Sequence, residues 1–375
     1  MYLAKTKTTL SLDSFVFHYV YAVVFITIYI LNNNHSDYSY LYTRIFNLVT
    51  TVLLFFFLIF KLILSGFKIK IKILDFTFFA LILTIVLLTI LTRNYVNFHW
   101  IYLIFTYIYF NNNMNLNQRF KKSVLTVVFF SVIYQLATLR FMEIRPVINW
   151  QDPNFSGFFL FLLFLFLKYE KMRVMSYIIF IAGFLTLSRS YILAVAIFLV
   201  INNLSFIKSI ILKVKLNHFL IILLFSLITL TFIEKYFVNT DVRFDKTMNN
   251  IEKIYTIADA SNQHRFTANV LFKNDLINNF FDYQFGIDKD YYTDNVYMNT
   301  PHNAFYTIII NYGFYFMIFY FIIFAKIYNR FFTKENISII FGLFSYYMLL
   351  GAGIQGYPGV LVFYLLALNK NEGKI

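Results

Sequence analysis

The stretch that decides the fold runs from residue 155 to residue 200 and reads FSGFFLFLLFLFLKYEKMRVMSYIIFIAGFLTLSRSYILAVAIFLV. It holds three apolar runs, separated by the charged segment 168–173 and by Ser188-Arg189-Ser190. Apolar runs recur from one end of the chain to the other, and a run of roughly 18 to 25 residues is long enough to cross a hydrocarbon core of about 30 Å as a helix. The pattern predicts an all-α, polytopic membrane protein.

The composition of the whole chain supports the same fold class. Its 375 residues are 60% hydrophobic, 22% aromatic and only 13% charged, with a mean hydropathy of +0.66. A soluble protein of this size needs roughly a quarter of its residues charged. The composition therefore excludes a cytosolic globular enzyme, and the absence of cysteine excludes disulfides, thiolate metal sites and a cysteine nucleophile.

Apolar runs and polar interruptions together predict about twelve transmembrane helices and one long extracytoplasmic loop. Residues 1–233 hold helices 1 to 9, residues 234–301 form the loop, and residues 302–375 hold helices 10 to 12. The predicted spans are 14–32, 43–64, 73–92, 97–110, 123–139, 155–167, 174–188, 190–204, 217–234, 303–325, 336–350 and 356–369.

The distribution of basic residues predicts the orientation of these spans. With the N-terminus inside, 20 of the 32 lysines and arginines fall in inner segments, five in short outer segments and seven in the long loop. Short loops rich in lysine and arginine stay in the cytoplasm. We therefore expect a multi-pass protein of the cytoplasmic membrane with both termini inside. The net charge of +14 is then explained by the orientation of the spans in the membrane, and no nucleic-acid partner is expected.

The long polar segment from Glu234 to Pro301 is predicted to lie outside and to carry function, because long loops in compact bundles are uncommon. Within it, Phe266, Val270, Leu271, Asn274 and Ile277 recur at helical spacing. Residues 263–280 are therefore predicted to form an amphipathic helix that lies on the membrane. The alternative is a helix that covers the bundle.

Cationic side chains gather on the predicted outer side. Arg140, Arg145, Arg189, Arg265 and His302 can converge there on one cavity, and arginine presents a planar fork of donors that suits the oxygens of a diphosphate. For Arg140 and Arg145, contact with lipid headgroups is an equal alternative. No acidic residue is predicted in the middle of a span, which argues against an ion-coupled carrier.

Three segments carry a resemblance to a known family. Asp152-Pro153-Asn154-Phe155 opens the sixth predicted span, Thr186-Leu187-Ser188-Arg189 forms a "T-x-S-R" turn, and ten residues separate His302 from Gly313. In this order the segments resemble the bacterial O-antigen polymerase and O-antigen ligase superfamily, over about residues 140–315. Arg265 sits where that family places a loop arginine ahead of a "G-x-G" turn, although Asp288 replaces the second glycine here.

The resemblance implies a membrane glycosyltransferase that needs no metal or other cofactor and works on an undecaprenyl-diphosphate-linked glycan. Asp288-Lys289-Asp290 is the nearest approach to a metal motif, and no metal is expected there. Membrane lipid is a further expected partner, as are the flippase and the chain-length regulator of the same pathway.

The residues fit a mechanism for such a transfer. Arg189 and Arg265, with Arg145, can stabilise the charge that gathers on the leaving diphosphate, and His302 can accept the proton of a sugar hydroxyl. His302 can instead cap the loop or bind phosphate in its protonated form. Arg140 belongs to the predicted substrate-binding set. Asp152 and Asn154 are predicted to shape the acceptor or sugar pocket, and Gly313 to be a close-packing or kink position.

The leading hypothesis is a polymerase that joins lipid-linked repeat units of O-antigen, the polysaccharide part of lipopolysaccharide, or of capsule at the outer face of the membrane. A ligase that transfers finished glycan to the lipid A core shares the same motifs. From a different class, a flippase for the lipid-linked repeat unit would place its cations deep in a central lumen and would not need the long loop. A purely structural membrane protein is the remaining alternative.

Overall fold

The residues that the computed structural model describes include eight α-helices of nine or more residues, and no strand occurs among them. Those residues are 118–138, 153–213, 260–287, 292–294, 301, 303–317, 333–334 and 336–350, with Val52, Phe56 and Leu83. The helices are α1 (Gln118–Thr138), α2 (Pro153–Tyr169), α3 (Arg173–Leu185), α4 (Arg189–Asn203), α5 (Ser205–Lys213), α6 (Ala260–Asn278), α7 (Ala304–Tyr312) and α8 (Ile337–Leu350). The all-α prediction holds for this part of the chain.

Helix α2 forms the centre of the bundle. Every side chain from Phe158 to Leu167 is buried, and helices α1, α3 and α4 all pack against it. The ring of Tyr346, on α8, lies 4.8 Å from the ring of Phe158 between centroids. A helix that is apolar on all sides belongs in the interior, which explains why this stretch of sequence has no polar face.

Two side-chain contacts fix the directions of the helices. Lys121 Nζ lies 2.7 Å from Glu170 Oε1 and joins the start of α1 to the end of α2; we call this the Glu170 end. Ser188 Oγ donates to Asn154 Oδ1 over 3.1 Å and joins the start of α2 to the turn before α4; we call this the Asn154 end. Helices α1 to α4 therefore run alternately up and down.

Three of the four buried positions of helix α3 carry small side chains, whereas its exposed face carries large ones. Its buried positions are Ser176, Ile179, Ala182 and Gly183. Its exposed face carries Val174, Tyr177, Ile178, Ile181 and Leu185. This is the reverse of a helix on a soluble protein, and it matches helix packing in membranes, where small residues let backbones approach closely while large apolar ones face lipid.

The predicted positions of several helices agree with the structure. The spans predicted at 155–167, 174–188, 190–204 and 336–350 coincide with α2, α3, α4 and α8 to within a few residues. In the described part of the chain, Phe120–Ala137 alone is long and apolar enough to cross a membrane by itself. Helix α3, with 13 residues, is about 20 Å long. The count of twelve transmembrane helices therefore stays a prediction.

Helix α5 was not predicted, because its nine residues lie in a segment assigned to an inner loop. Leu204 ends α4 in an extended conformation, and α5 then leaves at 95° to α4. It contacts both α4 and α8.

Helix α6 covers the segment that was predicted to be helical at 263–280, and it buries one of its sides against neighbouring segments. Ala268 and Phe272 are buried, whereas Leu271 and Ile277 are exposed. Phe272 joins a core cluster formed with the segments that follow. The cluster contains Phe272, Tyr283, Tyr292, Ile309 and Ile310. The helix therefore packs against α7, and both its contact with a membrane and its alternative role as a cover over the bundle stay predictions.

Candidate functional site

Thr186, Leu187 and Ser188 form the turn between α3 and α4, and hydrogen bonds of Thr186 stabilise it. Thr186 Oγ1 donates to Gly183 O over 2.7 Å and accepts from Ser188 N over 3.3 Å. Between them, Leu187 has a φ of 51°, in the left-handed region that non-glycine residues rarely adopt. The turn is compact because its own side chains satisfy the backbone groups that α3 and α4 leave open.

Ser188 connects this turn to two helices at once. Its Oγ accepts from Tyr191 N over 3.2 Å, which makes Ser188 the N-cap of α4. The same hydroxyl donates to Asn154 Oδ1, and both residues are buried. A Cβ on Gly157 would lie 3.0 Å from Ser188 Oγ, so a larger residue would push the turn away from α2.

The side chain of Tyr191 lies against Gly183 of α3 and joins α4 to α3. Its hydroxyl donates to Phe180 O over 2.8 Å, and a Cβ on Gly183 would overlap the ring. Arg189 is the first residue of α4 and is half-buried. The residue before Arg189 and the second residue after it are thus both fixed, so its backbone is held at one place at the Asn154 end.

A second locus forms where the long loop returns to α7. Asn303 caps α7, with Oδ1 accepting from Phe305 N over 2.9 Å. Thr307 Oγ1 donates to Pro301 O over 3.2 Å and to Asn303 O over 2.9 Å. Asn303 is fully buried, and within the described ranges its Nδ2 has no hydrogen-bond acceptor. The residues on either side of position 302 are therefore anchored to the first turn of α7.

Two glycines allow the backbone of the turn after α6 to lie directly against the backbone of α7. Gly313 ends α7 with a φ of 94°, and a Cβ there would overlap Gln284 O. Gly286 has a φ of 91°, and a Cβ there would lie 2.9 Å from Tyr312 N. Ile287 N donates to Ile310 O over 2.7 Å, which ties the same two segments together. The prediction that Gly313 is a close-packing or kink position is confirmed, and helix resumes only at 314–317.

Helix α6 is held to this turn by a buried hydroxyl. Tyr283 donates its phenolic hydrogen to Asp275 Oδ2, and Asn279 Nδ2 donates to Asp275 Oδ1 over 2.7 Å. Burial raises the pKa of the Tyr283 hydroxyl, and the hydrogen bond to Asp275 raises that pKa further. Tyr283 therefore keeps its proton near neutral pH and remains a donor.

Arg265 is placed by the packing of α6. It precedes the buried residues Ala268 and Phe272 by three and seven positions, so it shares their side of the helix, and it is half-buried. Phe272 lies 5.0 Å from the ring of Tyr306 in α7, between centroids. Phe314 N donates to Tyr283 O over 2.9 Å, beyond the far end of α7. Contacts between α6 and α7 thus run in parallel order, because later positions in α6 and its following turn meet later positions in and after α7.

Of the seven predicted site residues, the structure describes three: Asn154, Arg189 and Arg265. It brings Asn154 next to Ser188, the residue before Arg189. Arg140, Arg145, Asp152 and His302 lie outside the described residues. Asp288-Lys289-Asp290 also lies outside them. Convergence of the arginines and the histidine on one cavity therefore stays a prediction.

Ser188 and Asn303 are the residues that the sequence analysis overlooked. Both are N-caps, and a serine or asparagine immediately before an apolar run is the local signal that identifies such a residue. Both also stand next to a predicted catalytic residue in the chain. Two of the three predicted catalytic positions, Arg189 and His302, are thus next to an N-cap residue in the chain.

Comparisons with protein-family models, curated proteins and solved structures each give no match. In the part of the chain described, no group of three or more His, Asp or Glu side chains is arranged to hold a metal ion.

Proposed function

We propose that this protein is a membrane glycosyltransferase that joins polyprenyl-diphosphate-linked oligosaccharide repeat units at the outer face of the bacterial cytoplasmic membrane. The observation that carries the proposal is the hydrogen bond between Ser188 and Asn154. It joins two of the three motif segments across 34 positions of sequence and fixes the start of α4, where Arg189 stands.

Membrane placement is supported by the packing of the helices. Large apolar side chains on α1, α3 and α4 point away from the bundle, whereas α3 buries serine, alanine and glycine. Water would make such a surface costly, at about 25 cal/mol for each Å² of exposed apolar area. A lipid environment removes this cost, because the exposed apolar side chains then contact acyl chains. The Asn154 end is then the outer end, since the basic residues gather at the Glu170 end.

The start of α4 is suited to a diphosphate. The N-terminus of a helix carries a partial positive charge and attracts anions, and the first turn of α4 contains Arg189 and no acidic residue. A guanidinium can hold two phosphate oxygens at once. We assign Arg189 to the stabilisation of charge on the leaving diphosphate.

The second locus supplies the other groups in the proposal. The parallel order of contacts supports a position of Arg265, near the start of α6, on the side of Asn303 at the start of α7. We assign Arg265 to the diphosphate and His302 to the acceptor. Asn303 adds a buried Nδ2 donor next to His302 in the chain. A hydrogen-bond donor at this point suits a sugar oxygen or a phosphate oxygen.

The transfer then follows one sequence of bond changes. The oxygen of the acceptor hydroxyl forms a bond to the anomeric carbon of the donor glycan, and its proton passes to His302. The bond between that carbon and the diphosphate oxygen breaks, and its electron pair stays on the lipid diphosphate. Arg189 and Arg265 stabilise the charge as it develops, which in comparable sites is a major part of catalysis.

The experiment is reconstitution of the purified protein with a lipid-linked repeat unit, followed by gel analysis of glycan length. Lengthening supports the polymerase. Transfer to the lipid A core alone would identify a ligase, and movement across liposomes without lengthening would identify a flippase. Arg189→Ala, Arg265→Ala and His302→Ala should each abolish lengthening. Arg173→Ala is the matched control, because Arg173 is an exposed first residue of α3 at the opposite end of the bundle.

Arg189→Lys separates the proposed role from a general need for positive charge. Lysine keeps the charge but cannot hold two oxygens in one plane. Activity should therefore fall although the protein folds normally. Wild-type chain lengths in two of the three alanine variants would make the assignment of the site wrong.

A further inference from the structure

The short helix α5 is set across the end of the bundle. It leaves α4 at 95°, after Leu204 has adopted an extended conformation. A helix perpendicular to a membrane-crossing helix lies parallel to the membrane plane. This step rests on the membrane placement in the proposed function, under which α5 lies at the inner surface.

The side chains of α5 divide into three directions. At 100° per residue, Ile207, Lys208 and Ile211 share the side that packs toward the bundle, and all three are half-buried. Phe206 and Ile210 share a second side and are 73% and 47% exposed. Ser205 and Ser209 are exposed on a third side. An interfacial helix has this division, with one side toward protein, one toward lipid and one toward water.

The exposed apolar side of α5 continues an apolar stripe on α4. Leu193, Val200 and Leu204 are exposed along α4 at helical spacing, and Phe206 follows them around the corner. If the α4 stripe faces lipid, the side of α5 with Phe206 and Ile210 meets the same lipid at the level of the headgroups.

Positive charge gathers beside this helix. Lys168 Nζ lies 4.5 Å from the centroid of the Phe198 ring, beyond the predicted end of its span at residue 167. Burial lowers the pKa of the Lys168 ammonium, and the charge of Lys208 lowers it further. Lys213 is exposed at the end of α5.

Few carboxylates balance these lysines. Within 118–138 and 153–213, the sequence at the Glu170 end has eight basic residues and one acid, Glu170, which is paired with Lys121. The eight are Arg119, Lys121, Lys122, Lys168, Lys171, Arg173, Lys208 and Lys213. Clusters of lysine and arginine next to the inner membrane surface attract anionic lipid.

We propose that α5 is an interfacial helix that binds anionic phospholipid of the inner leaflet, with Lys168 and Lys208 at the lipid phosphate and Phe206 and Ile210 among the upper acyl chains. The site is separate from the Asn154 end, and it anchors the bundle at the opposite surface.

Because the chain contains no cysteine, single cysteines can be labelled without background. Nitroxide labels at Leu193→Cys, Phe206→Cys and Ser209→Cys are compared in nanodiscs of phosphatidylcholine and phosphatidylglycerol. We expect the label at 193 to be accessible to oxygen and shielded from a water-soluble nickel reagent, the label at 206 to lie at headgroup depth, and the label at 209 to be accessible to nickel.

A lipid-binding measurement tests the charged part. Phosphatidylglycerol retained by the purified protein is compared between wild type and Lys168→Gln/Lys208→Gln, with Lys122→Gln as the control. Affinity should fall about fivefold for each lysine removed.

Three outcomes would overturn the proposal. A label at 206 as exposed to nickel as the one at 209, with 193 still shielded, would refute an interfacial α5 and leave the membrane placement intact. Exposure of the label at 193 to nickel as well would refute both the interfacial α5 and the membrane placement. Unchanged phosphatidylglycerol affinity in the double variant would refute the lysine site. Polymerase activity is no part of the readout, so its absence would affect only the proposed function.

Discussion

The two ends of helix α2 are joined to their neighbours by different chemistry. At the Asn154 end, a neutral amide and a neutral hydroxyl form the contact, and both are buried. At the Glu170 end, a carboxylate meets the ammonium of Lys121. A neutral hydrogen bond holds a turn in place without using the charge of a nearby arginine, whereas a carboxylate beside that arginine would compete with an anionic substrate.

In the proposed function the two ends therefore have different roles: the Asn154 end positions Arg189, and the Glu170 end anchors the bundle. The Asn154 end fixes the backbone of one cationic residue by several short contacts, as a site for a diphosphate requires. The Glu170 end joins helices by an ion pair and gathers many lysines, as a surface that faces anionic lipid requires. Substitutions at the Asn154 end should therefore change activity, and substitutions at the Glu170 end should change stability alone.

The largest expected effect is that of Gly183→Ala, next to the turn at the Asn154 end. The new Cβ would overlap the ring of Tyr191, which is fixed by its own hydrogen bond to Phe180 O. We expect a loss of about 3 kcal/mol or more, or no folded protein, because the hydrogen bond of Tyr191 to Phe180 O limits how far its ring can move. Thermal unfolding in detergent gives the measurement.

Ile181→Ala is the control for that change, because Ile181 is exposed on the outward face of α3. It should cost less than about 0.5 kcal/mol in a lipid-like environment. Tyr191→Ala combined with Gly183→Ala should be no less stable than Tyr191→Ala alone. A Gly183→Ala protein with wild-type stability would contradict the close approach of α3 and α4.

The next effect is expected at the Glu170 end. Glu170→Ala leaves the largely buried ammonium of Lys121 without its carboxylate, and we expect a loss of about 3 kcal/mol in stability. Glu170→Gln should lose less, since the amide oxygen still accepts from Lys121. Glycan lengthening per folded molecule should match wild type in both variants. A fall in that specific activity would mean that the two ends are not functionally separate.

Asn154→Ala should lose less stability than Glu170→Ala but more activity. The change removes the acceptor of the Ser188 hydroxyl and should cost about 1–2 kcal/mol. Chain lengthening should fall at least about tenfold, because a small displacement of a positioning group costs that much in rate. Both quantities are measured on protein that elutes as wild type by size exclusion.

A double-mutant cycle tests the contact itself. If Asn154 and Ser188 act through one hydrogen bond, Asn154→Ala with Ser188→Ala should cost less than the sum of the two single variants, by about 0.5 kcal/mol or more. Ser188→Ala also removes the cap of α4, and this loss of about 1 kcal/mol enters both arms of the cycle and cancels. Additive losses would show that Asn154 does not act through Ser188.

Much of the helical framework is predictable from sequence, because the signal is local. Long apolar runs broken by charge are enough to place α2, α3, α4 and α8. The span predicted at 303–325 fails as a single helix at Gly313, where the turn after α6 meets the backbone. The sequence predicts a close-packing or kink position at Gly313, but no local pattern identifies the segment 284–286 that packs against it.

The candidate site shows more clearly that sequence patterns do not reveal contacts between distant parts of the chain. The sequence identifies Asn154 and Arg189 as separate motif residues, yet their connection depends on a contact between positions 34 apart. The periodicity of Val270, Leu271 and Ile277 predicts an apolar face of α6 toward the membrane, but it does not reveal that Ala268 and Phe272 pack against protein. An amphipathic helix with apolar residues on two sides does not reveal by periodicity which side faces protein.

The smallest effect, and the sharpest comparison, comes from one substitution made at both ends. Lys171 and Leu187 are the non-glycine residues with positive φ in the described segments, at 61° and 51°. Lys171 lies just beyond α2, where Met172 N donates to Leu167 O over 2.9 Å and Lys171 N to Lys168 O over 3.1 Å, the pattern of a Schellman cap. Glycine adopts this conformation without strain, so Lys171→Gly should stabilise the protein by about 1 kcal/mol.

Leu187→Gly should relieve a similar strain of about 1 kcal/mol, less the contacts of a half-buried leucine. Its effect on activity should differ, because glycine also frees the turn that sets the backbone of Arg189. Lys171→Gly should therefore keep wild-type chain lengthening, whereas Leu187→Gly should lower it several-fold at unchanged or higher stability. Equal activity in the two variants would show that the strained turn has no role in positioning Arg189, and the contrast between the two ends would then be one of packing alone.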